Sequence, residues 1–263
     1  MLYQKGFTEQ DFSSMLNKYS YYFHPGDIVA GTVFNKEDNG FLVDIGADIA
    51  GYLPIEEVSL KSKKHMNTSN LNHLQNTTRE FFILAYNENS QQLILSIKRL
   101  EYIRAWKRIK QLIKEDIIFS LSIHTINKGG IITYIEGLQG FIPNSHLVIA
   151  EPHILNHQIK CKMLIADEKT NQIIFSNKSA VLYLATNKIK IGDIVYGVIT
   201  NIKTYGLFIQ IHDIPALLHI SEIGSQYIDN LHHVFKMGNI IKVKILHIDT
   251  KQGRLSVSKR NID

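Results

Sequence analysis

Gly192-Asp193-Ile194-Val195, followed by Gly197, repeats the earlier run Gly26-Asp27-Ile28-Val29 followed by Gly31, at an offset of 166 positions. The same offset carries Gly40 onto Gly206, and one deletion later Gly51-Tyr52-Leu53-Pro54 meets Ala216-Leu217-Leu218-His219. A worn copy lies between them. Gly51-Tyr52-Leu53-Pro54 returns as Gly140-Phe141-Ile142-Pro143, and that offset of 89 sets Asp27 on Asp116 and Gly40 on Gly129. The copies close on Leu95-Ser96-Ile97-Lys98, Phe175-Ser176-Asn177-Lys178 and Leu255-Ser256-Val257-Ser258. Three units of roughly 65 to 75 residues therefore fill most of the 263-residue chain.

Inside a unit the hydrophobic period is two, the signature of half-buried strands. Leu207, Ile209 and Ile211 alternate with Phe208 and Gln210, and Ile241, Val243 and Ile245 alternate with Lys242 and Lys244. Glycines at Gly31, Gly40, Gly197 and Gly206 sit in or beside these runs, as a small barrel requires where strands bend or turn tightly. The expected fold is mainly β, with three tandem five-stranded barrels of the oligonucleotide-binding (OB) type. From Leu100 to Lys114 the apolar spacing changes to three and four, so a helical connector is expected there. Thr8 to Tyr19 reads as a shorter leading helix, with Thr8 as its N-cap, and 59–78 as a polar surface excursion. The expected organisation is a lead-in over 1–23, a first barrel over 24–99, the basic helix over 100–114, a degenerate second barrel over 115–178, a linker over 179–189 and a third barrel over 190–263.

Composition narrows the class. Hydrophobic residues make up 44% and charged residues 20%, an ordinary globular mixture. No apolar run approaches the ~18 residues of a membrane helix, so no membrane partner is expected. The N-terminal stretch lacks a secretory core and an arginine-rich transit character, which points to action where the protein is made. The lone Cys161 excludes an internal disulfide and a sulfur-ligated structural zinc site. The net charge of +5 is unevenly spread: −2 over 24–99, +4 over 100–114, −1 over 115–178 and +3 over 190–263.

The Gly-Asp-Ile-Val series, the central turn glycine, the block Ala216-Leu217-Leu218-His219-Ile220-Ser221-Glu222-Ile223 and the closing Arg254-Leu255-Ser256 resemble the RNA-binding repeat of the ribosomal protein S1 family. The order of three repeats, the run into His24-Pro25-Gly26-Asp27 and the middle Asn127-Lys128-Gly129-Gly130 are similar to its short cyanobacterial and plastid form. The resemblance implies OB-type barrels, binding of single-stranded mRNA and a place on the small ribosomal subunit. The heavy use of Ile, Asn and Lys fits an AT-rich genome and favours a plastid-encoded protein of the chloroplast, with the bacterial cytoplasm as the alternative.

Single-stranded RNA is held by aromatic faces that stack bases and cations that track phosphates. Alternation puts Phe208 opposite the core residues Leu207 and Ile209, and His219 opposite Leu218 and Ile220. The outward direction of Tyr205 is implied by the resemblance, as is an acidic and basic pair at the end of the fourth strand and start of the fifth, here Asp249 and Arg254. Lys203, Lys244 and Lys251 complete the expected phosphate contacts, with Arg104, Lys107, Arg108, Lys110 and Lys114 of the basic helix as a second set. For that helix a merely solvated face is an equal reading. In the first unit Asn39, Leu42 and Pro54 occupy the places of Tyr205, Phe208 and His219; in the second, Lys128, Ile131 and Pro143 do. Phe41 and Tyr134 fall on core-facing positions, while Tyr52 and Phe141 stay open as stacking substitutes, with a core role the favoured reading. RNA affinity is therefore expected in the third barrel, and the acidic first barrel is expected to dock on ribosomal proteins or ribosomal RNA.

Twelve histidines show no metal-like spacing, and phosphate-loop, nucleophile-elbow and kinase patterns are absent, so no enzyme, cofactor, metal or small-molecule substrate is expected. Two rival readings use the same barrels: an RNA-binding subunit of an RNA-decay or transcription-regulating complex, and an adaptor that binds proteins only.

Overall fold

The computed structural model describes residues 22–47, 49–60, 73–87, 92–148, 158–224 and 231–262. The leading helix expected over 8–19 and residues 61–72 of the polar excursion lie outside them. The chain divides into two compact units, 1–104 and 105–263.

The first unit holds a closed barrel of β1 (Ile28–Glu37), β2 (Gly40–Asp44), β3 (Gly51–Pro54), β4 (Thr78–Asn87) and β5 (Gln92–Ser96). Its ring order is β1-β2-β3-β5-β4, with β3 and β5 parallel and the other neighbours antiparallel. Val33, Phe41, Leu53, Phe81, Ile83 and Leu95 fill the interior with no exposed surface. The strand glycine Gly31 is needed because β1 crosses the interior closely. A Cβ there would lie 2.7 Å from Val43 and 2.9 Å from a backbone oxygen.

Helix α1 (Ile97–Lys114) begins directly after β5, three residues earlier than the apolar stripe suggested. The cause is Ser96, whose hydroxyl accepts the Arg99 N–H at 2.7 Å and caps the first turn while donating to the Glu57 carboxylate at 2.6 Å. Ser176 does the same after the next repeat, accepting the Ser179 N–H at 3.0 Å at the start of α2 (Asn177–Ala185). The expected linker over 179–189 is therefore largely helix. One apolar side of α2, with Leu182 completely buried, belongs to the core of the last barrel.

The middle of the chain differs from the expected five-stranded barrel. It is a six-stranded sheet of β6 (Ile118–Ser122), β7 (Thr125–Asn127), β8 (Gly130–Ile135), β9 (Leu138–Pro143), β10 (Gln158–Asp167) and β11 (Gln172–Ser176). Its order, β6-β10-β11-β9-β8-β7, is the barrel order with the first strand split in two. By register Leu121, 5% exposed, stands where β1 has Gly31, and the strand breaks two residues later at Ile123 and His124. A large side chain at that point fills the space across which a glycine lets the strand bend.

The same register moves three of the repeat correspondences read from sequence. The middle turn glycine is Gly130, opposite Pro143 as Gly40 is opposite Pro54, so Gly129 and Ile132 stand in for Tyr205 and Phe208, not Lys128 and Ile131. Tyr134 is consequently on the outer face and 47% exposed, contrary to its core assignment. Asp116, with φ of 51°, occupies the left-handed position of Gly26 and Gly192 rather than that of Asp27. The buried serine that ends each unit is Ser96, Ser176 and Ser258, so the last closing block aligns two residues later than its pattern implied.

A second closed barrel follows from β12 (Ile194–Lys203), β13 (Gly206–Ile211), β14 (Ile214–His219), β15 (Ile240–Asp249) and β16 (Arg254–Ser258), in the order β12-β13-β14-β16-β15. A four-residue helix, α3 (Leu231–Val234), precedes β15. Gly197 repeats the role of Gly31: a Cβ would meet Ile209 at 2.3 Å and Ile211 at 2.9 Å. Gly197→Ala therefore overpacks the interior and costs about 1–3 kcal/mol. Hydrogen exchange of the full chain reads this as loss of protection confined to β12–β16, and unchanged protection there would refute the packing account.

Candidate nucleic-acid interface

The last barrel presents a continuous outer row. Register sets Asn201, Phe208, Leu217, Ser256 and His247 side by side across the five strands. Phe208 is half-buried, held between neighbours on both strands, and its ring meets that of Tyr205 edge-on with centroids 6.3 Å apart and planes at 83°. Tyr205 is 48% exposed. The pair thus combines one anchored ring with one that reaches solvent, and the T-shaped contact fixes their relative angle.

His219 lies one two-residue step along β14 from Leu217, opposite Gly206, and is exposed. Its Nδ1 accepts the Ser221 backbone N–H at 3.3 Å and lies 2.8 Å from the Ser221 hydroxyl. Because Nδ1 is the acceptor, the neutral ring carries its proton on Nε2 as a donor. Lys203 ends β12 beside Gly206 and is exposed, next to the Tyr205 turn.

At the other side of the row, Asp249 and Arg254 are cross-strand partners at the tip of the β15–β16 hairpin. They are not ion-paired. Asp249 instead accepts the Gln252 N–H at 3.0 Å and shapes the turn that carries Lys251, leaving the exposed Arg254 guanidinium without a hydrogen bond or ion pair among the described residues. The hairpin is braced from below, since the Ser179 hydroxyl donates to the Thr250 carbonyl and Gly253 packs against the α2 backbone. Lys244 is exposed but pairs with Ile194 and Ser258, away from the Phe208 row.

The second basic set is partly spent. Arg104 pairs with Glu80 and Lys110 with Glu168, both exposed pairs worth little in stability, and Arg108 donates to the Gln111 side chain at 3.1 Å. Lys107 and Lys114 remain exposed and without such partners among the described residues. Tyr52 and Phe141, read toward the core from sequence, lie half-buried on the outer rows instead, each with its ring over the turn glycine of its own sheet. Among the described residues no group of three or more His, Cys, Asp or Glu converges as a metal site, and no helix is long and apolar enough to cross a membrane.

Comparison with known proteins now bears on this geometry. The S1 RNA binding domain family matches residues 22–98 and 188–260, the first and last barrels. The chain is 48% identical to "Small ribosomal subunit protein bS1c" of Pyropia yezoensis over 98% of both chains. It is 47% identical to the protein of the same name from Porphyra purpurea, again over 98% of each. Against "Small ribosomal subunit protein bS1A" of Synechocystis sp. the identity is 42%, over 98% of this chain and 78% of that one. The chain belongs to the bS1 family of small ribosomal subunit proteins. The bS1 relatives are named as small ribosomal subunit proteins, and the family model that the two barrels match describes an RNA-binding domain.

Four perturbed groups, His146, Cys161, Asp167 and Lys178, lie in the second unit of this bS1-family chain. Cys161 is wholly buried in β10, and burial raises its thiol to about 12, so it is inert packing. His146 sits in the short turn after β9 with its Nδ1 3.1 Å from the Ser176 hydroxyl. Burial, then the charges of Lys178 and Arg254, lower its pKa below the ordinary 6.5. The folded state therefore binds fewer protons than the unfolded one, and stability present above pH 6.5 is lost as pH falls below it. Melting should drop more between pH 7.5 and pH 5.5 for the parent chain than for His146→Gln. Equal drops would refute the assignment.

Proposed function

We propose that this protein is an RNA-binding constituent of the small ribosomal subunit that captures single-stranded mRNA across the outer face of its third barrel and helps recruit it for translation initiation. The observation that carries this reading is the T-shaped Tyr205–Phe208 pair, flanked by His219 and by the unpaired Arg254. Bases stack on the two rings, His219 offers Nε2–H to a base edge or backbone oxygen, and Arg254, Lys203 and Lys251 meet phosphates. Lys244 and the free cations of α1, Lys107 and Lys114, serve at most as outlying phosphate contacts. Asp249 acts by shaping the hairpin that presents Arg254.

The middle sheet is a diverged third repeat, supported by its barrel-like strand order and its repeated capping serine. The first barrel, with its acidic balance and without an aromatic at the Phe208 position, is the docking module for ribosomal proteins or ribosomal RNA. The protein works in the chloroplast as the product of a plastid gene, a placement supported by the high identity to plastid relatives.

Two measurements check these assignments. Phe208→Ala lowers affinity for an unstructured RNA strand about tenfold without unfolding the barrel, in line with ~1–3 kcal/mol per stacked base. Unchanged binding would remove the site. Deleting 1–99 abolishes co-sedimentation with small subunits while leaving RNA affinity in place, and the reverse result would refute the division of labour.

A further inference from the structure

In the middle sheet β9 and β11 are joined at a single register pair, Phe141 with Ile174, whereas β3 and β5 are joined at two and β14 and β16 at three. Beside this sparse seam lies a cleft of about 320 Å³, lined by Phe141, Ile174, Gln139, Gln172 and Asn171 among others. The volume falls in the ~300–1,000 Å³ range of small-ligand sites.

Alternation explains why these particular side chains meet there. Gln139 and Phe141 alternate with the buried Leu138, Gly140 and Ile142, and Gln172 and Ile174 alternate with the buried Ile173 and Phe175, so all four belong to the outer face. Because the two strands run parallel, Gln139 falls beside Gln172 one two-residue step, ~6–7 Å, from the Phe141–Ile174 pair. The ring of Phe141 lies over the turn glycine, with its Cζ 2.9 Å from where a Cβ of Gly130 would stand.

We propose that this cleft is a second nucleobase site, in which one base of a bound single strand stacks on Phe141 and meets the side-chain amides of Gln139 and Gln172 along its edge. The inference rests on the reading that the protein binds single-stranded RNA. Register supports the occupant: Phe141 takes the place of Leu217, the cross-strand neighbour of Phe208, and Gln172 takes the place of Arg254. The aromatic has moved from the second strand of the repeat to the third while staying in the same outer row, and the guanidinium has been replaced by an amide. An amide both donates and accepts, which suits a base edge, and it carries no charge for a phosphate. No Lys or Arg lines the cleft. The site therefore contributes stacking and base-edge contacts without counterion release.

That difference gives the test its readout. Full-length protein is titrated with an unstructured RNA strand at low and at high salt, in the parent, Phe141→Leu and Arg254→Ala forms. Phe141→Leu keeps an apolar side chain for the fold but removes the stacking face. It should lower affinity about tenfold by the same factor at both salt concentrations, and Phe141→Tyr should restore the parent value. Arg254→Ala should instead flatten the salt dependence. Photocrosslinking with 5-iodouridine-substituted RNA should also mark Phe141, and should still do so in Phe208→Ala. RNA that binds and crosslinks at Phe208, with Phe141 unmarked and Phe141→Leu neutral, would overturn this site and leave the function standing. RNA that fails to bind the parent protein would remove both.

Discussion

A ring of five short strands closes only if its first strand can bend across the interior, and Gly31 and Gly197 are the points where it does so. At each, the missing Cβ leaves room for the branched side chains of the second strand to approach within ordinary contact. Both glycine-bearing units are closed barrels. Where Leu121 replaces the glycine, the first strand is broken and the sheet has six pieces. The barrel in turn fixes the alternation that sends Leu207 and Ile209 inward and Phe208 outward. The candidate RNA face is thus a by-product of closure, built on regular strands and not on mobile loops.

The rigidity of that face comes from devices at its margins. Phe208 is held by cross-strand neighbours, His219 by the Ser221 N–H, and the Arg254 hairpin by Asp249 and by the N-terminus of α2. A preorganised surface of this kind loses little side-chain entropy on meeting a flexible strand. Electrostatics divides the chain differently from simple counting of cations. Helix α1 has the highest density of positive charge, yet Arg104 and Lys110 are engaged with carboxylates, while Arg254 in the last barrel pairs with no carboxylate among the described residues. Which cations are available to phosphate is decided by their neighbours.

Much of the architecture was legible from residues because glycine spacing and period-two alternation have direct physical causes. Phe208 and His219 were assignable by counting outward from Leu207 and Leu218. The failures of register share one cause. A period of two looks the same after a shift of two residues, which misplaced Ser256 against Ser96, and it inverts after a shift of one, which sent Tyr134 into the core. Adjacent Gly129 and Gly130 left the middle turn ambiguous by that one residue. For Tyr52 and Phe141 the core was favoured over the outer face because an aromatic in an apolar run suggests burial, whereas their place in the pleat turns them outward.

The sequence by itself determined that the chain is a string of β-repeats with a helical connector, that its last copy is the most aromatic on its outer face, and that its single cysteine rules out a disulfide frame. Those conclusions need only local periodicity, side-chain chemistry and the conformational freedom of glycine. Tertiary structure alone decided where the turn glycine of the middle repeat lies, that the linker before the last barrel is a helix capped by Ser176, and which charges are already paired. It also decided that Phe141 and two glutamines from distant strands share one cleft. Such facts depend on register between segments far apart in sequence, and register is set by how whole strands pack against a common interior, not by any one strand's own pattern.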